Sequence, residues 1–245
     1  MKNVTYLLSS LSIFAVSASL QAQVVYQDNF DSYSLGPING QGGWVTSSIT
    51  GSSAADVSNA EALSGSQSLY MLDDSASDRP IARIDYGQNV TESVFDIAIL
   101  PTGNDFWRID MTSTASGVFN FSLLGNGGGT IRLTDQFGGV ITSIATSSTS
   151  YSETDWNEFS IIANETDGTA RVTLGGVEIL NVTDASINWT IGASEFSLGY
   201  NGGTDIEVYY DNLSLAQIPE PGYYATLFGA LSVLVLTLRS RQQQK

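Results

Sequence analysis

Short runs of alternating apolar and polar residues recur about every ten residues along most of this chain, and they limit what it can fold into. Gly, Asn, Asp and Ser separate the runs, and no stretch sustains the 3.6-residue period of an amphipathic helix. Many short strands without helices predict an all-β fold, an antiparallel sandwich of two sheets. The runs that predict internal strands are 68–72, 81–86, 93–100, 106–111, 118–124, 130–134, 140–145, 156–163, 170–174, 177–182 and 195–200.

The first and last predicted strands carry similar residues. Tyr26, Asp28 and Asn29 lie in a run that starts at Gln23, and the run 205–215 contains Tyr-Asp-Asn again. This likeness predicts that the two strands pair as antiparallel neighbours, which would close the domain at its ends. The segment 23–217 is long enough for one well-buried domain and too short for two comfortable ones.

Composition excludes several kinds of chemistry. The chain has no Cys, so disulfides, thiol catalysis and cysteine–zinc sites are absent, and it has no His, which removes a Ser-His-Asp triad. Segment 23–217 holds 24 of the 25 acidic residues but only five basic ones, all Arg. Nucleic acids and anionic membranes need clustered Lys or Arg, so neither is an expected partner.

Residues 1–22 have the layout of a secretory signal peptide. Lys2 is their single charge, an apolar stretch runs from Tyr6 to Leu20, and small residues follow. We expect cleavage after Ala22, with a cut after Ala18 as the alternative. Either cut exports the chain.

Residues 218–245 combine a Pro-containing box, an apolar segment and a basic end. Pro219, Glu220 and Pro221 precede sixteen uncharged residues, 223–238, and three basic residues follow. A helix of that length reaches about 24 Å, which makes a minimal span of a hydrocarbon core about 30 Å thick. The basic end would stay on the cytoplasmic side, so this helix would anchor the body outside the membrane.

The order of box, apolar segment and basic end resembles the PEP-CTERM sorting signal of bacterial envelope and exopolysaccharide-associated proteins. The resemblance implies that an exosortase, a membrane transpeptidase, recognises Pro219, Glu220 and Pro221 and removes the helix. The protein would then reach the cell surface or the extracellular matrix. This chain departs from the commonest form in having Gly222, Tyr223 and Tyr224 after the box and Gln within the basic end.

The body carries a second resemblance in a series of short motifs. They are DNFDSY at 28–33, GQGGW at 40–44, ALSGSQSL at 62–69, WNEFSI at 156–161, GTARVTLGG at 168–176 and YDNL at 210–213. Together and in this order they resemble the concanavalin A-like, laminin G-like jelly roll. Members of that group bind sugars, cleave polysaccharides or pack between other domains, so the resemblance implies the fold and leaves the function open.

Three carboxylates have a spacing known from catalysis. Glu153, Asp155 and Glu158 form Glu-x-Asp-x-x-Glu, which resembles the motif of family 16 glycoside hydrolases, where two carboxylates on one strand face perform retaining hydrolysis. The polar neighbours Thr154 and Asn157 favour a solvated loop that leads into a strand starting at 156. We therefore expect no catalytic role for these residues.

Polar residues alternate with apolar ones along four predicted strands. If the strands are adjacent, one face carries Asp96, Arg108, Asp110, Asn120 and Arg132. Such a face could hydrogen-bond the hydroxyl groups of a ligand, or it could form cross-strand ion pairs worth under about 1 kcal/mol each. The ion-pair interpretation is favoured.

The four tryptophans have different expected environments. Trp107 lies on the apolar side of its strand and is expected in the core, and Trp156 is expected at the sandwich edge. Trp44 and Trp189 could stack on a sugar ring, although packing under a loop is favoured.

Acidic residues near both ends of the segment 23–217 suggest a possible calcium-binding site. Asp28 and Asp211 could supply oxygen ligands where the terminal strands meet, and the acidic loop 73–78 is a second candidate. Neither matches a defined calcium loop. A structural calcium ion is thus one possibility, and no other cofactor is expected.

Taken together, these features indicate an exported, non-catalytic surface or matrix protein associated with exopolysaccharide. A carbohydrate-binding module that acts on extracellular polysaccharide is the first alternative. A polysaccharide hydrolase or lyase that uses Glu153 and Glu158 is the second.

Overall fold

The structure is a computed structural model that describes residues 22–74, 80–102, 106–112, 120–126, 129–137, 140–164, 167–183, 191–198 and 206–218. All regular structure in these ranges is β-strand. The strands are β1 (Gln23–Asp28), β2 (Gly36–Pro37), β3 (Val45–Ser47), β4 (Ala54–Ser58), β5 (Ser68–Asp73), β6 (Ile81–Val90), β7 (Glu92–Pro101), β8 (Trp107–Thr112), β9 (Asn120–Asn126), β10 (Thr130–Phe137), β11 (Val140–Thr146), β12 (Asn157–Asn164), β13 (Thr169–Leu174), β14 (Val177–Thr183), β15 (Ile191–Leu198) and β16 (Ile206–Gln217).

The strands form two antiparallel sheets. The nine-stranded sheet has the order β14-β13-β12-β7-β16-β5-β4-β2, with β1 pairing on β16 in addition. The seven-stranded sheet has the order β11-β10-β9-β8-β15-β6-β3. The prediction of an all-β antiparallel sandwich is therefore confirmed. The strands β2, β3 and β4 were not predicted. β2 and β3 have only two and three residues and offer no alternation to recognise, whereas β4 alternates in burial but contains only small residues, Asp and Val.

The terminal strands pair, as their similar residues predicted. β1 runs antiparallel to β16, with Gln23 opposite Gln217 and Gln27 opposite Ser214. The first half of β16 pairs with β5 and its second half pairs with β1. β5 and β1 therefore lie end to end along the same edge of β16. Between the two halves lies a bulge in which Asn212 adopts a left-handed conformation with φ of 52°. Asparagine tolerates this conformation better than most residues do.

The core lies between the sheets and is rich in aromatic side chains. Trp107, at 1% exposure, has its ring centroid 5.5 Å from that of Tyr151 and 5.3 Å from that of Phe159. Each such contact contributes about 0.5–1.5 kcal/mol beyond burial. Trp107 is thus a core residue, as predicted. Trp44 is completely buried, which excludes stacking on a sugar, whereas Trp189 lies outside the described residues.

Both predicted targeting segments fall outside the part of the chain that the structure describes. Residues 1–21 of the signal peptide belong to this group, as do Pro219, Glu220, Pro221 and the predicted membrane helix 223–238. Among the described residues, no helix is long and apolar enough to span a bilayer. The last described residue, Ile218, donates its backbone N–H to the carbonyl of Glu92 at 2.8 Å.

Candidate functional site

The outer face of the nine-stranded sheet carries several polar side chains, at positions that alternate with core residues along β7 and β12. On β7, Phe95, Ile97 and Ile99 are buried in the core, while Asp96 between them is partly exposed on the opposite face. On β12, Glu158 is exposed and its neighbour Phe159 is buried. This outer face is where solutes can reach the sheet.

The loop 59–67 between β4 and β5 is tied to this face by two carboxylates. Asp211 accepts the backbone N–H groups of Leu63 at 2.9 Å and Ser64 at 3.0 Å. Asp31 accepts those of Ser66 at 2.7 Å and Gln67 at 3.0 Å. Burial raises the pKa of the Asp211 carboxyl above its usual value, although the N–H groups oppose this shift. These bonds hold the loop at the outer face, where Leu63 and Glu61 each line a cavity.

On one side of the loop lies a cavity of about 290 Å³, which we call the carboxylate depression. In the described structure, no protein donor lies within hydrogen-bonding distance of the carboxylates of Asp96 and Glu158, and the Nδ2 of Asn212 likewise has no protein acceptor. These groups remain available to a ligand. The residues that line the depression are Leu63, Asp96, Ile97, Ala98, Glu158, Phe159, Ser160, Thr173, Gly176 and Asn212.

On the other side of the loop lies a second cavity of about 380 Å³, the tyrosine depression. It is lined by Glu61, Leu100, Pro101, Thr102, Thr154, Glu207 and Tyr209. The ring of Tyr209 packs on that of Tyr70, with centroids 5.0 Å apart. Burial, followed by the nearby Glu207, raises the pKa of the Tyr70 hydroxyl.

The carboxylate of Asp28 is enclosed by donors instead. Its Oδ2 accepts the hydroxyls of Tyr26 at 2.8 Å and Tyr33 at 2.5 Å and the indole N–H of Trp44 at 3.0 Å. Its Oδ1 accepts the backbone N–H of Phe30 at 2.8 Å. Burial and the bond to Asp28 raise the pKa of Tyr33 to about 12. Asp28 therefore organises the corner at which the chain leaves β1.

This arrangement does not suit the calcium site that the sequence suggested. A cation needs free oxygen lone pairs, but N–H and O–H groups point at both oxygens of Asp28 and of Asp211. The described residues contain no group of three or more acidic side chains placed to hold a metal ion. In the second candidate loop, Asp74 accepts the hydroxyl of Ser53 at 2.8 Å and the N–H of Ser52.

The three carboxylates with hydrolase spacing do not share a strand face. β12 begins at Asn157, so Glu153 and Asp155 precede it and only Glu158 lies in the strand. Asn157 shapes this loop by donating to the carbonyls of Ser152 and Asp155, both at 2.7 Å. The prediction of a loop leading into a strand is confirmed, with the start one residue later than expected.

The predicted polar face divides between the two sheets. Arg108 and Asp110 lie on β8 of the seven-stranded sheet, where they form a buried ion pair. In the same sheet, Asn120 lies opposite Thr112, and Arg132 and Arg108 both lie opposite Leu124. Asp96 belongs to the other sheet, opposite Ser160 of β12. The structure therefore brings Asp96 together with Glu158 rather than with the other four residues.

Ser160, Thr173 and Asn212 were not predicted as site residues. Ser160 and Thr173 are ordinary polar positions in strands, and nothing in the sequence shows that they lie beside Asp96. The sequence placed Asn212 in the last strand and beside a possible calcium ligand, but gave no sign that it borders this cavity. Its position in a bulge depends on the pairing of β16 with two successive neighbours.

Comparisons with known proteins identify the fold. No family model matches the chain, and no curated protein sequence matches it either. Among solved structures, the cellulose-induced protein Cip1 is 16% identical with a TM-score of 0.60, over 78% of this chain and 96% of that one. A Bacillus subtilis protein described as having a galectin-like fold is 11% identical with a TM-score of 0.58, over 80% and 97%.

Two further structures come from larger glycan-active proteins. Domain 4 of AbnA, an extracellular arabinanase of Geobacillus stearothermophilus solved in complex with arabinotriose, is 15% identical with a TM-score of 0.54, over 80% of this chain and 93% of that one. A sialidase is 13% identical with a TM-score of 0.58, and the match covers 80% of this chain but 19% of the sialidase. At these identities the likeness establishes a shared galectin-like, jelly-roll-like sandwich and nothing about ligands.

Proposed function

We propose that this protein is an exported, non-catalytic surface or matrix protein that binds extracellular polysaccharide in the carboxylate depression. One observation carries the proposal. The carboxylates of Asp96 and Glu158 and the Nδ2 of Asn212 converge on one cavity and have no protein partners in the described structure, whereas Asp28, Asp31 and Asp211 are saturated with donors. The Oδ1 of Asn212 accepts the hydroxyl of Ser64 at 2.6 Å, which fixes the orientation of this amide. Carboxylates that stabilise the fold are thereby distinguished from carboxylates that are available to bind a ligand.

The chemistry of these groups fits sugar hydroxyls. A carboxylate accepts hydroxyl hydrogen bonds, an amide both donates and accepts, and the hydroxyls of Ser160 and Thr173 do the same. Leu63, which is half-buried, adds apolar surface, as the carbon-bound face of a sugar ring requires. The fold shared with an arabinanase domain that was solved with arabinotriose supports the proposal by analogy.

Removing either free carboxylate should weaken binding without harming the fold. A hydrogen bond to a charged group contributes about 1.5–3 kcal/mol, so Asp96→Asn or Glu158→Gln should lower glycan affinity about 10–100-fold. A glycan array identifies the ligand, and calorimetry with that ligand measures the loss. Glu178→Gln is the matched control, because it removes one charge from an exposed site on β14 of the same sheet. Equal affinity of all three variants and the wild type would refute this site.

Catalysis by the same carboxylates is the alternative. Glu158 lies opposite Ala98 and Asp96 lies opposite Ser160, so the two acids occupy diagonal positions on neighbouring strands. Diagonal pairs are about 7–8 Å apart, which lies within the range that inverting glycosidases use. A reducing-end assay on the glycan that binds distinguishes hydrolysis from binding without catalysis. Release of sugar by the wild type and not by Glu158→Gln would establish a hydrolase.

Export and sorting form the other part of the proposal. The signal-peptide layout of residues 1–22 and the order of Pro-Glu-Pro box, apolar segment and basic end support it. We place the body outside the cell, held first by the helix 223–238 and then released to the surface or matrix by an exosortase-type enzyme. Gln217, the last residue of β16, pairs with Gln23, so Ile218 is the one residue between this strand and the box.

Replacement of Glu220 and Pro221 by alanine tests this part. The uncut form should accumulate in the membrane fraction of the native host, because the processing enzyme no longer finds its box. Glu178→Gln is again the control, since it lies in the folded body. Immunoblotting of cell fractions measures how much of the protein is cut. Normal maturation of the box variant would count against sorting through Pro219, Glu220 and Pro221.

A further inference from the structure

A row of five polar side chains crosses the outer face of the nine-stranded sheet in register. Thr173 of β13 lies opposite Ser160 of β12, and Ser160 lies opposite Asp96 of β7. Asp96 lies opposite Ser214 of β16, and Ser214 lies opposite Gln27 of β1. We call these five residues the polar row. Neighbouring strands are about 4.8 Å apart, so the row is about 19 Å long.

None of the five side chains has a hydrogen-bonding partner in the part of the protein that the structure describes. Polar groups on a sheet face usually form cross-strand bonds with each other or with water. Five successive positions without a mutual bond leave a continuous line of donors and acceptors. The row is therefore suited to an extended ligand rather than to a single small molecule.

The row joins two cavities. Thr173, Ser160 and Asp96 line the carboxylate depression at one end. At the other end, Ser214 and Gln27 line a cavity of about 420 Å³, which we call the terminal depression and which also contains Asn29, Ser32 and Tyr33. Asn212 lines both cavities, and its side chain is exposed on the bulge between them. A ligand that filled both would have to pass this amide.

An apolar row runs beside the polar one. Ile162 of β12 lies opposite Val94 of β7, Val94 lies opposite Ala216, and Ala216 lies opposite Val24. Ile162 and Val94 are half-buried and Val24 is 53% exposed. A polysaccharide presents hydroxyl groups along its edges and carbon-bound hydrogens on its ring faces. The parallel polar and apolar rows match that alternation over several units.

The charges along the polar row limit which glycans can bind there. The polar row and the two depressions contain the carboxylates of Asp96, Glu158 and Asp28, and no Lys or Arg among the described residues lines either cavity. Arg171, the one basic residue on the described strands of this sheet, lies 3.9 Å from Glu178 near the sheet edge. A glycan with uronate or sulfate groups would bring like charges together at close range, which is unfavourable.

We propose that the polar row binds an internal stretch of an uncharged or amino-sugar polysaccharide, with sugar units on both sides of Asn212. This inference rests on the proposed function, because it assigns the length and charge of the ligand to the same site. Binding along the chain, rather than at a chain end, would let one polysaccharide hold many copies of the protein. That is the arrangement expected of a matrix component.

The test uses oligosaccharides of increasing length with the purified full chain. The probes are β-1,4-linked glucose, mannose and glucosamine series and a galacturonate series, each from dimer to hexamer. We expect affinity in at least one uncharged or amino-sugar series to rise about tenfold or more from dimer to hexamer. We expect no measurable binding of galacturonate. Equal affinity of dimer and hexamer, or tight binding of galacturonate, would overturn the inference.

Two variants locate the ligand along the row. Gln27→Ala, at the terminal depression, should weaken hexamer binding severalfold and leave dimer binding unchanged. Asn212→Gly removes the amide but suits the left-handed backbone, and it should weaken the hexamer as well. Asn181→Ala on the edge strand β14 is the control.

The outcomes separate the inference from the proposed function. If Asp96→Asn abolishes binding of every length while Gln27→Ala changes none, the carboxylate depression binds glycan but the extended row does not, and the inference fails alone. If no series binds, or if Asp96→Asn binds like the wild type, both the proposed function and the inference fail.

Discussion

Replacing Asp28 with asparagine should lower the free energy of unfolding by about 3 kcal/mol or more. The carboxylate accepts hydrogen bonds from Tyr26, Tyr33, Trp44 and the backbone of Phe30. An asparagine that keeps the bond to Phe30 turns its NH₂ group toward the other three donors. The tyrosine hydroxyls can rotate and accept from it, but an indole N–H is only a donor and would face a second donor in a buried place.

Urea unfolding followed by tryptophan fluorescence measures this loss. Asp96→Asn is the matched control, because it makes the same chemical change at a carboxylate that has no protein donor in the described structure. That control should leave stability within about 0.5 kcal/mol of the wild type while it weakens glycan binding. If both variants unfolded at the same urea concentration as the wild type, Asp28 would not have the structural role assigned to it.

The second large effect is expected at Gly125, which faces the core. Gly125 lies opposite Trp107, and a Cβ atom there would be 2.0 Å from Cε2 and 2.1 Å from Nε1 of the indole. Trp107 cannot move aside, because it packs on Tyr151 and Phe159. Gly125→Ala should therefore cost about 3 kcal/mol, the upper end of the range for an overpacked core.

A double-mutant cycle separates this clash from other effects of the alanine. In a Trp107→Leu background the smaller side chain leaves room, so Gly125→Ala should cost much less than it does in the wild type. Gly175→Ala serves as a control for backbone strain, since Gly175 has φ of 56° and open space around it. It should cost about 1–2 kcal/mol from conformation alone. Equal costs of Gly125→Ala in both backgrounds would show that Trp107 is not the obstacle.

Local patterns were sufficient to predict the fold class. Alternation identified the long strands, because each buries one face against the other sheet, as β7 and β12 do. The similar residues of the two terminal runs predicted the β1–β16 pair correctly. The short strands β2 and β3 were not predicted, because two or three residues are too few to show an alternating pattern. Their conformation depends on the neighbouring strands.

The candidate site was harder to predict, because it depends on which strands are neighbours. β7 and β8 follow each other in the chain but belong to different sheets, so Asp96 was grouped with Arg108 and Asp110. Sheet membership is a long-range property that alternation does not contain. The polar row draws on five strands, from β1 to β16, and only their register brings the residues together.

The calcium hypothesis depends on the same kind of long-range information. An acidic residue in a sequence shows its charge but not the donors around it, and those of Asp28 come from three side chains as far away as Trp44. For Asp211 the donors are backbone N–H groups of a loop nearly 150 residues earlier, at Leu63 and Ser64. Carboxylates that hold a fold and carboxylates that bind a ligand look alike until these contacts are known.

A structure of the protein with a bound oligosaccharide, the hexamer of whichever series binds best, is the most direct test of the account. We expect density for sugar units over Asp96 and Ser160, with hydroxyl groups within hydrogen-bonding distance of Asp96, Glu158 and Asn212. Units should continue past Asn212 toward Gln27. A ligand on the seven-stranded sheet near Arg132, or one confined to the tyrosine depression, would contradict it.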